Sequence, residues 1–139
     1  MCEEYIKRYH EKGIINYLGQ VRDILEILRD IDVAVLASYR EGMPRFLLEA
    51  AACEKPIITT NVPGCRDVVE HGVNGLIVPP KNAYALAEAI RHLSLHPEQC
   101  SEMGKQGRKK ILSQFDETII IKETLDIYKT LLQPIVGIN

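Results

Sequence analysis

Two carboxylates, Glu41 and Glu49, flank the stretch Gly42-Met43-Pro44-Arg45-Phe46-Leu47-Leu48. A carboxylate is an acceptor-only group that can take two hydroxyl donors, which suits a vicinal diol. An apolar run, Val33-Ala34-Val35-Leu36-Ala37, precedes them and reads as a buried strand of a parallel sheet. An apolar helix from Pro44 to about Cys53 follows, in which Glu49 is the only charge beyond the first turn. Open α/β sheets bind ligands in the crevice at the carboxyl ends of their strands. One carboxylate on the loop and one on the helix therefore aim at one mouth, the arrangement of a sugar or ribose site.

Pro44 suits the first helical position, where its missing N–H would have no intrahelical partner in any case. The amides of Arg45, Phe46 and Leu47 then point out of the helix start with the positive end of the dipole behind them, and can receive a phosphate. Glu49 lies about 7 to 8 Å along the axis from Pro44. Helical side chains lean toward the N-terminus, so its carboxylate can reach back to the same mouth. The spacing also fits a solvated Glu41 and a Glu49 paired for structural reasons, and the motif does not choose between them.

The elements that must position these residues alternate. Ile14–Leu18 reads as a strand ending at Gly19, and Val21–Arg29 as an amphipathic helix. Strand Val33–Ala37 and helix Pro44–Cys53 are followed by strand Pro56–Thr60, a turn at Pro63-Gly64 and a short helix over Arg66–Glu70. Gly75–Val78 is a further strand, stopped by Pro79-Pro80. Helix Ala83–Leu95 comes next, then a helix from Pro97 to about Phe115 with a weak point at Gly104–Gly107. In the segment from Asp116 to Leu132, Ile119-Ile120-Ile121 favours strand. The spacing of Ile121, Leu125, Tyr128 and Leu132, with Asp116 as a cap, favours helix. Helix is the reading adopted. Repeated βα units give a Rossmann-like parallel sheet with helices on both faces and right-handed crossovers.

Composition narrows the function classes. With 139 residues and 46% hydrophobic content, the chain can form one domain, or a piece of a larger one, with a sizeable core. A net charge of -2, with charges of mixed sign, argues against a nucleic-acid partner. No apolar stretch approaches a membrane span, and the first residues have neither a basic start nor an apolar h-region. Cys2, Cys53, Cys65 and Cys100 are scattered without a C-x-x-C pair, the pattern of reduced thiols in a cytoplasm. His92 and His96 are one turn apart without a metal motif around them and read as a solvated helix face. Lys105, Arg108, Lys109 and Lys110 form a basic stretch. It reads as a solvated face and leaves room for peripheral association with an anionic membrane.

The run from Asp32 through Ser38-Tyr39-Arg40-Glu41-Gly42 and Leu48-Glu49-Ala50-Ala51-Ala52-Cys53 to Lys55-Pro56-Ile57-Ile58 resembles the family-4-type retaining glycosyltransferases. The likeness continues at Gly64-Cys65-Arg66-Asp67-Val68-Val69 and Gly72-Val73-Asn74-Gly75-Leu76-Ile77-Val78-Pro79-Pro80, and is similar in texture to enzymes of bacterial surface polysaccharides. The resemblance implies a GT-B architecture, two Rossmann-like domains across a cleft, of which this chain matches the later part of the C-terminal, donor-binding domain. It implies that Glu41 contacts the donor sugar and that the backbone of Gly42, Met43, Pro44, Arg45 and Phe46 meets sugar and diphosphate. It further implies that Glu49 binds the ribose hydroxyls and that the turn near Gly19 and Gln20 faces the nucleobase. No metal and no cofactor are expected, only a nucleoside-diphosphate sugar donor. The family's glycine-containing loop with its basic pair, and the whole N-terminal acceptor domain, have no counterpart here. The chain is therefore expected to be a truncated piece that is inactive alone and prone to self-association. Its parent is expected in the cytoplasm, at the inner face of the membrane where it meets lipid. Glu54 stands where the family has glycine, a place where φ > 0 would be strained. The alternatives are a flavodoxin-like or receiver-like signalling module and a GT-B-type sugar-nucleotide epimerase.

Overall fold

The computed structural model describes residues 2–132, whose order is α1 (Cys2–Glu11), α2 (Ile24–Asp30), β1 (Ala34–Leu36), α3 (Arg45–Ala52), β2 (Ile57–Thr60), α4 (Cys65–Val68), β3 (Gly75–Val78), α5 (Ala83–Ser94), α6 (Pro97–Gln114) and α7 (Glu117–Leu132). The three strands pair in parallel in the order β1-β2-β3. Ala34 stands opposite Ile57 and Ile57 opposite Gly75. Successive strand residues point to opposite faces. Ile57 accordingly packs with Leu28, Leu47, Ala50, Val68 and Val69 of α2, α3 and α4 and their borders. Ile58 packs on the other face with Val78, Ala89, Leu93 and Met103 of β3, α5 and α6. The sheet is covered on both faces, as the alternation of elements requires.

Four expectations are corrected. Ile14–Leu18 is irregular and its apolar side chains are exposed. A strand is held by a neighbour's hydrogen bonds, and none of the three strands pairs with this segment. A helix, α1, precedes it where the sequence reading placed none. The helix Pro97–Gln114 runs unbroken through Gly104 and Gly107. Those glycines are contact points: a Cβ at Gly104 would lie 1.9 Å from the Glu54 carbonyl oxygen, and one at Gly107 would touch Ala51. Finally, His92 and His96 do not share a helix face. His92 lies in the last turn of α5, His96 caps α6, and the two rings stack at 4.4 Å.

The segment from Asp116 is helical, and Asp116 Oδ1 accepts the Thr118 amide hydrogen bond at 2.9 Å. That capping bond, with the helical spacing of the apolar residues, outweighs the strand preference of the three isoleucines. α3 buries Leu47, Ala50 and Ala51, the i, i+3, i+4 stripe of an amphipathic helix. It ends in a Schellman turn, with Lys55 N donating to Ala50 O at 2.9 Å and Glu54 N to Ala51 O at 3.0 Å. Glu54 takes the left-handed position of that turn at φ 58°.

Candidate functional site

The chain leaving β1 is held by the end of β2. Thr60, buried at the end of its strand, accepts a hydrogen bond from Ser38 N at 3.1 Å and donates one to Ser38 O at 2.5 Å. Thr59 donates to Leu36 O at 2.9 Å. Hydroxyls in a fully buried strand must find partners, and here the partners are the main-chain groups at the exit of β1. Ser38 Oγ donates in turn to Arg40 O at 3.2 Å, the carbonyl of the peptide bond that carries Glu41.

The loop after β2 closes on the same segment. Gly64 has φ 79°, and a Cβ there would lie 1.6 Å from the Gly42 carbonyl oxygen and 3.0 Å from that of Glu41. Only glycine fits both the backbone angle and the approach. Further out, the Lys81 ammonium, from the loop after β3, sits 5.7 Å from the centre of the exposed Tyr39 ring. The loops following all three strands therefore meet at the carboxyl edge of the sheet. Thr60, Gly64 and Lys81 were not singled out as site residues from sequence. The Pro63-Gly64 pair and the two threonines ending an apolar strand carried a signal; Lys81 carried none.

The start of α3 departs in two details from the sequence reading. Pro44 is the N-cap, with φ -73° and ψ 107°, and Arg45 is the first helical residue. The Leu47 amide is turned to Pro44 O at 3.0 Å, which leaves the amides of Arg45 and Phe46 without a hydrogen-bond acceptor among the described residues. Two donors, not three, face out at the positive end of the helix. Gly42 and Met43 are exposed, Pro44 is buried and Phe46 packs partly on the core below. Glu41 is half-buried in the loop. Glu49 is paired: Arg45 Nε donates to its Oε1 at 2.8 Å, with the Arg45 side chain 89% exposed and that of Glu49 25%.

Gly19 does not join this group. It lies in the irregular segment before α2 at φ 63°, and no hydrogen bond among the described residues ties it to the Glu41 loop. Arg66 donates to Asn61 Oδ1 at 3.2 Å on the exposed side of α4. A cavity of about 740 Å³ opens at the opposite edge of the sheet, between the amino ends of β1 and β2 and the α5–α6 turn, and includes neither Glu41 nor Glu49. Its thiol, Cys100, is pushed up by burial and by the negative charges of Asp32 and Glu98. A thiol held protonated in this way is a poor nucleophile. No cluster of three potential metal ligands occurs among the described residues, and no helix among them is long and apolar enough to cross a membrane.

Comparison with known proteins follows the same lines. The chain is 36% identical over 121 residues to N,N'-diacetylbacillosaminyl-diphospho-undecaprenol alpha-1,3-N-acetylgalactosaminyltransferase of Campylobacter jejuni, across 87% of this chain and 32% of that protein. It is 35% identical over 116 residues to the capsular polysaccharide biosynthesis glycosyltransferase CapM of Staphylococcus aureus, across 84% of this chain and 30% of CapM. Anabaena HepE, solved in complex with UDP, shares the fold with a TM-score of 0.85 at 22% identity, over 93% of this chain and 36% of HepE. The chain thus spans about a third of the length of the curated relatives it matches. The sheet and its flanking helices are those of GT-B glycosyltransferases. Residues 2–110, which hold the Glu41 loop, the start of α3 and the β2 and β3 exits, match the glycosyl transferases group 1 family, and the chain belongs to that family.

Proposed function

We propose that this chain is the donor-binding part of a retaining glycosyltransferase that takes its glycosyl group from a nucleoside-diphosphate sugar. One observation carries the reading: a half-buried carboxylate, two free amides at a helix start and a second carboxylate leaning toward that start lie along one continuous segment at the carboxyl edge of a parallel sheet. Sugar hydroxyls, diphosphate and ribose hydroxyls are the groups such a sequence of acceptors and donors suits. Glu41 is assigned to the donor sugar and Glu49 to the ribose. The backbone of Gly42, Met43, Pro44, Arg45 and Phe46 is assigned to the diphosphate. Gly19 is assigned to the nucleobase, and no hydrogen bond among the described residues ties it to the others. UDP in HepE supports a uridine nucleotide as the first donor to test, and the names of the relatives support a bacterial polysaccharide or glycoconjugate as product.

An acceptor-binding domain completes the cleft in this reading, because positioning of donor against acceptor supplies much of the rate. The chain alone binds donor weakly and transfers nothing. Val35 on the unpaired edge of β1 and the exposed isoleucines and leucines of α7 support self-association of the isolated chain. The basic residues of α6 supply any attraction to anionic lipid, although Arg108 is already engaged with Glu54 and with Ala52 O.

The test is kinetic, in the enzyme that contains this chain. Ribose contacts are made equally in ground and transition states, so Glu49→Ala raises KM for donor with little change in kcat. Glu41 touches the reacting sugar, so Glu41→Ala lowers kcat as well. Two silent substitutions would remove the pocket from this place.

A further inference from the structure

We infer that Thr60 is a positioning residue for Glu41, acting through Ser38; this rests on the donor-site reading above and extends it to a residue that touches no ligand. The path is continuous and short. One hydroxyl, buried at the end of β2, both accepts from the Ser38 amide at 3.1 Å and donates to the Ser38 carbonyl at 2.5 Å. The Ser38 hydroxyl then donates to the Arg40 carbonyl at 3.2 Å, and Glu41 is the next residue. β1 has ended by then, at Leu36, so the ladder no longer fixes the chain. Further along, at Glu41 and Gly42, the loop meets the backbone of Gly64. The loop is thus gripped at Ser38 and walled at Gly42, with Glu41 between the two.

The two hydrogen bonds at Ser38 demand a group that is donor and acceptor at once. Serine and threonine meet that demand here; valine, equal in shape to threonine, does not. Thr60→Val leaves the Ser38 amide and carbonyl without their partner at a part-buried place, and the loop must shift to re-satisfy them. The start of α3 has its own anchors in Pro44 and the buried Leu47, and Gly42 is backed by Gly64, so the α3 amides of Arg45 and Phe46 and the Glu49 carboxylate stay in place while the Ser38–Glu41 stretch moves. The selective effect is on the sugar.

The experiment titrates UDP-glucose and UDP into the 15N-labelled chain and follows amide shifts, for wild type, Thr60→Val, Thr60→Ser and Ser38→Ala. Thr60→Val is expected to weaken UDP-glucose about tenfold while UDP stays within about twofold, the size of effect expected for one buried hydrogen-bonding group. Thr60→Ser restores the wild-type ratio of the two affinities. Ser38→Ala, which removes only the second link and no buried group, shifts the ratio the same way and decides the matter alone where Thr60→Val does not fold. A general loss of stability moves both ligands together and leaves the ratio unchanged. An unchanged ratio in Thr60→Val, or in Ser38→Ala, overturns the role of Thr60 and leaves the donor site standing. Wild-type chain that binds neither ligand overturns the donor site itself and the role of Thr60 with it.

Discussion

Arg45 Nε donates to Glu49 Oε1 at 2.8 Å, an i,i+4 contact that draws the Glu49 carboxylate one turn toward the start of α3. This is the direction a helical side chain favours. It also means that Glu49 is paired with Arg45 in the free protein, so a ribose seated as proposed would compete with Arg45 or share the carboxylate with it. The pair is an exposed i,i+4 contact on the arginine side, a type of contact that contributes little to stability.

Arg45→Ala therefore changes the unfolding free energy by no more than about 0.5 kcal/mol, because an exposed ion pair is lost and a better helix former is gained. It frees the carboxylate of Glu49 while keeping the backbone amide of residue 45. Denaturant unfolding checks the first expectation, and UDP titration checks that binding is retained.

Gly64→Ala acts on the site from outside it. The substituted residue would need φ near 79° and would drive its Cβ into the Gly42 carbonyl. The expected cost is about 1 to 3 kcal/mol from overpacking alone, with the backbone strain added. The Glu41–Gly42 segment must move, so amide shifts at Gly42 and Met43 should change in the free protein, before any ligand is added.

The strain at Glu54 offers a contrary case. Glu54→Gly relieves a left-handed non-glycine residue and gives up an exposed contact to Arg108 at 3.7 Å. The net effect is a gain of about 0.5 to 1 kcal/mol, since the relief exceeds a surface ion pair of this length. Gly104→Ala, which drives a Cβ against the Glu54 carbonyl, destabilises at the same place. Paired thermal melts of the two variants should move in opposite directions.

The α6–α7 junction responds to pH. The side-chain and backbone hydrogen bonds from Thr118 hold the Asp116 carboxyl below its ordinary range. A carboxyl depressed on folding contributes stability that is fully present above its unfolded pKa and is lost as pH falls through its folded value. The first turn of α7 should therefore loosen only below the ordinary aspartate range. The Thr118 amide resonance, followed through an acid titration, should lose its capped position there, and Asp116→Asn should make that position independent of pH.

Much of this molecule was legible from residue order. β3 falls on Gly75–Val78 as expected, and β1, β2, α3 and α5 differ from expectation only at their ends. Glu54 takes the left-handed angle that a C-terminal turn requires. These are local consequences of periodicity and caps. Contacts between elements were harder to read. Ile14–Leu18 has strand-like residues, but strand formation needs a neighbour, and pairing is not written in the segment itself. Gly104 and Gly107 read as a weak point because their cost to a helix is local, whereas their use, close packing of α6 on the end of α3, is tertiary. At the site, Glu49 was visible as the one charge beyond the first turn of an apolar helix, and Glu41 as a carboxylate on the loop just before it. Thr60 and Gly64 carried a signal as residues, but their part in the site did not show, because each acts on a segment more than twenty positions away. Lys81 reaches Tyr39 across the edge of the sheet with no pattern in the sequence to mark it.

A nucleoside diphosphate is proposed to seat at the start of α3, at the carboxyl edge of the sheet. The most direct test of that seat is a map of amide shifts in the 15N-labelled chain as UDP is added at millimolar concentration. The largest changes are expected at Gly42, Arg45, Phe46 and Glu49, with Cys100 and Ser101 unmoved, and Glu49→Ala is expected to reduce the affinity. Shifts confined to the Cys100 cavity, or none at the start of α3, would contradict it.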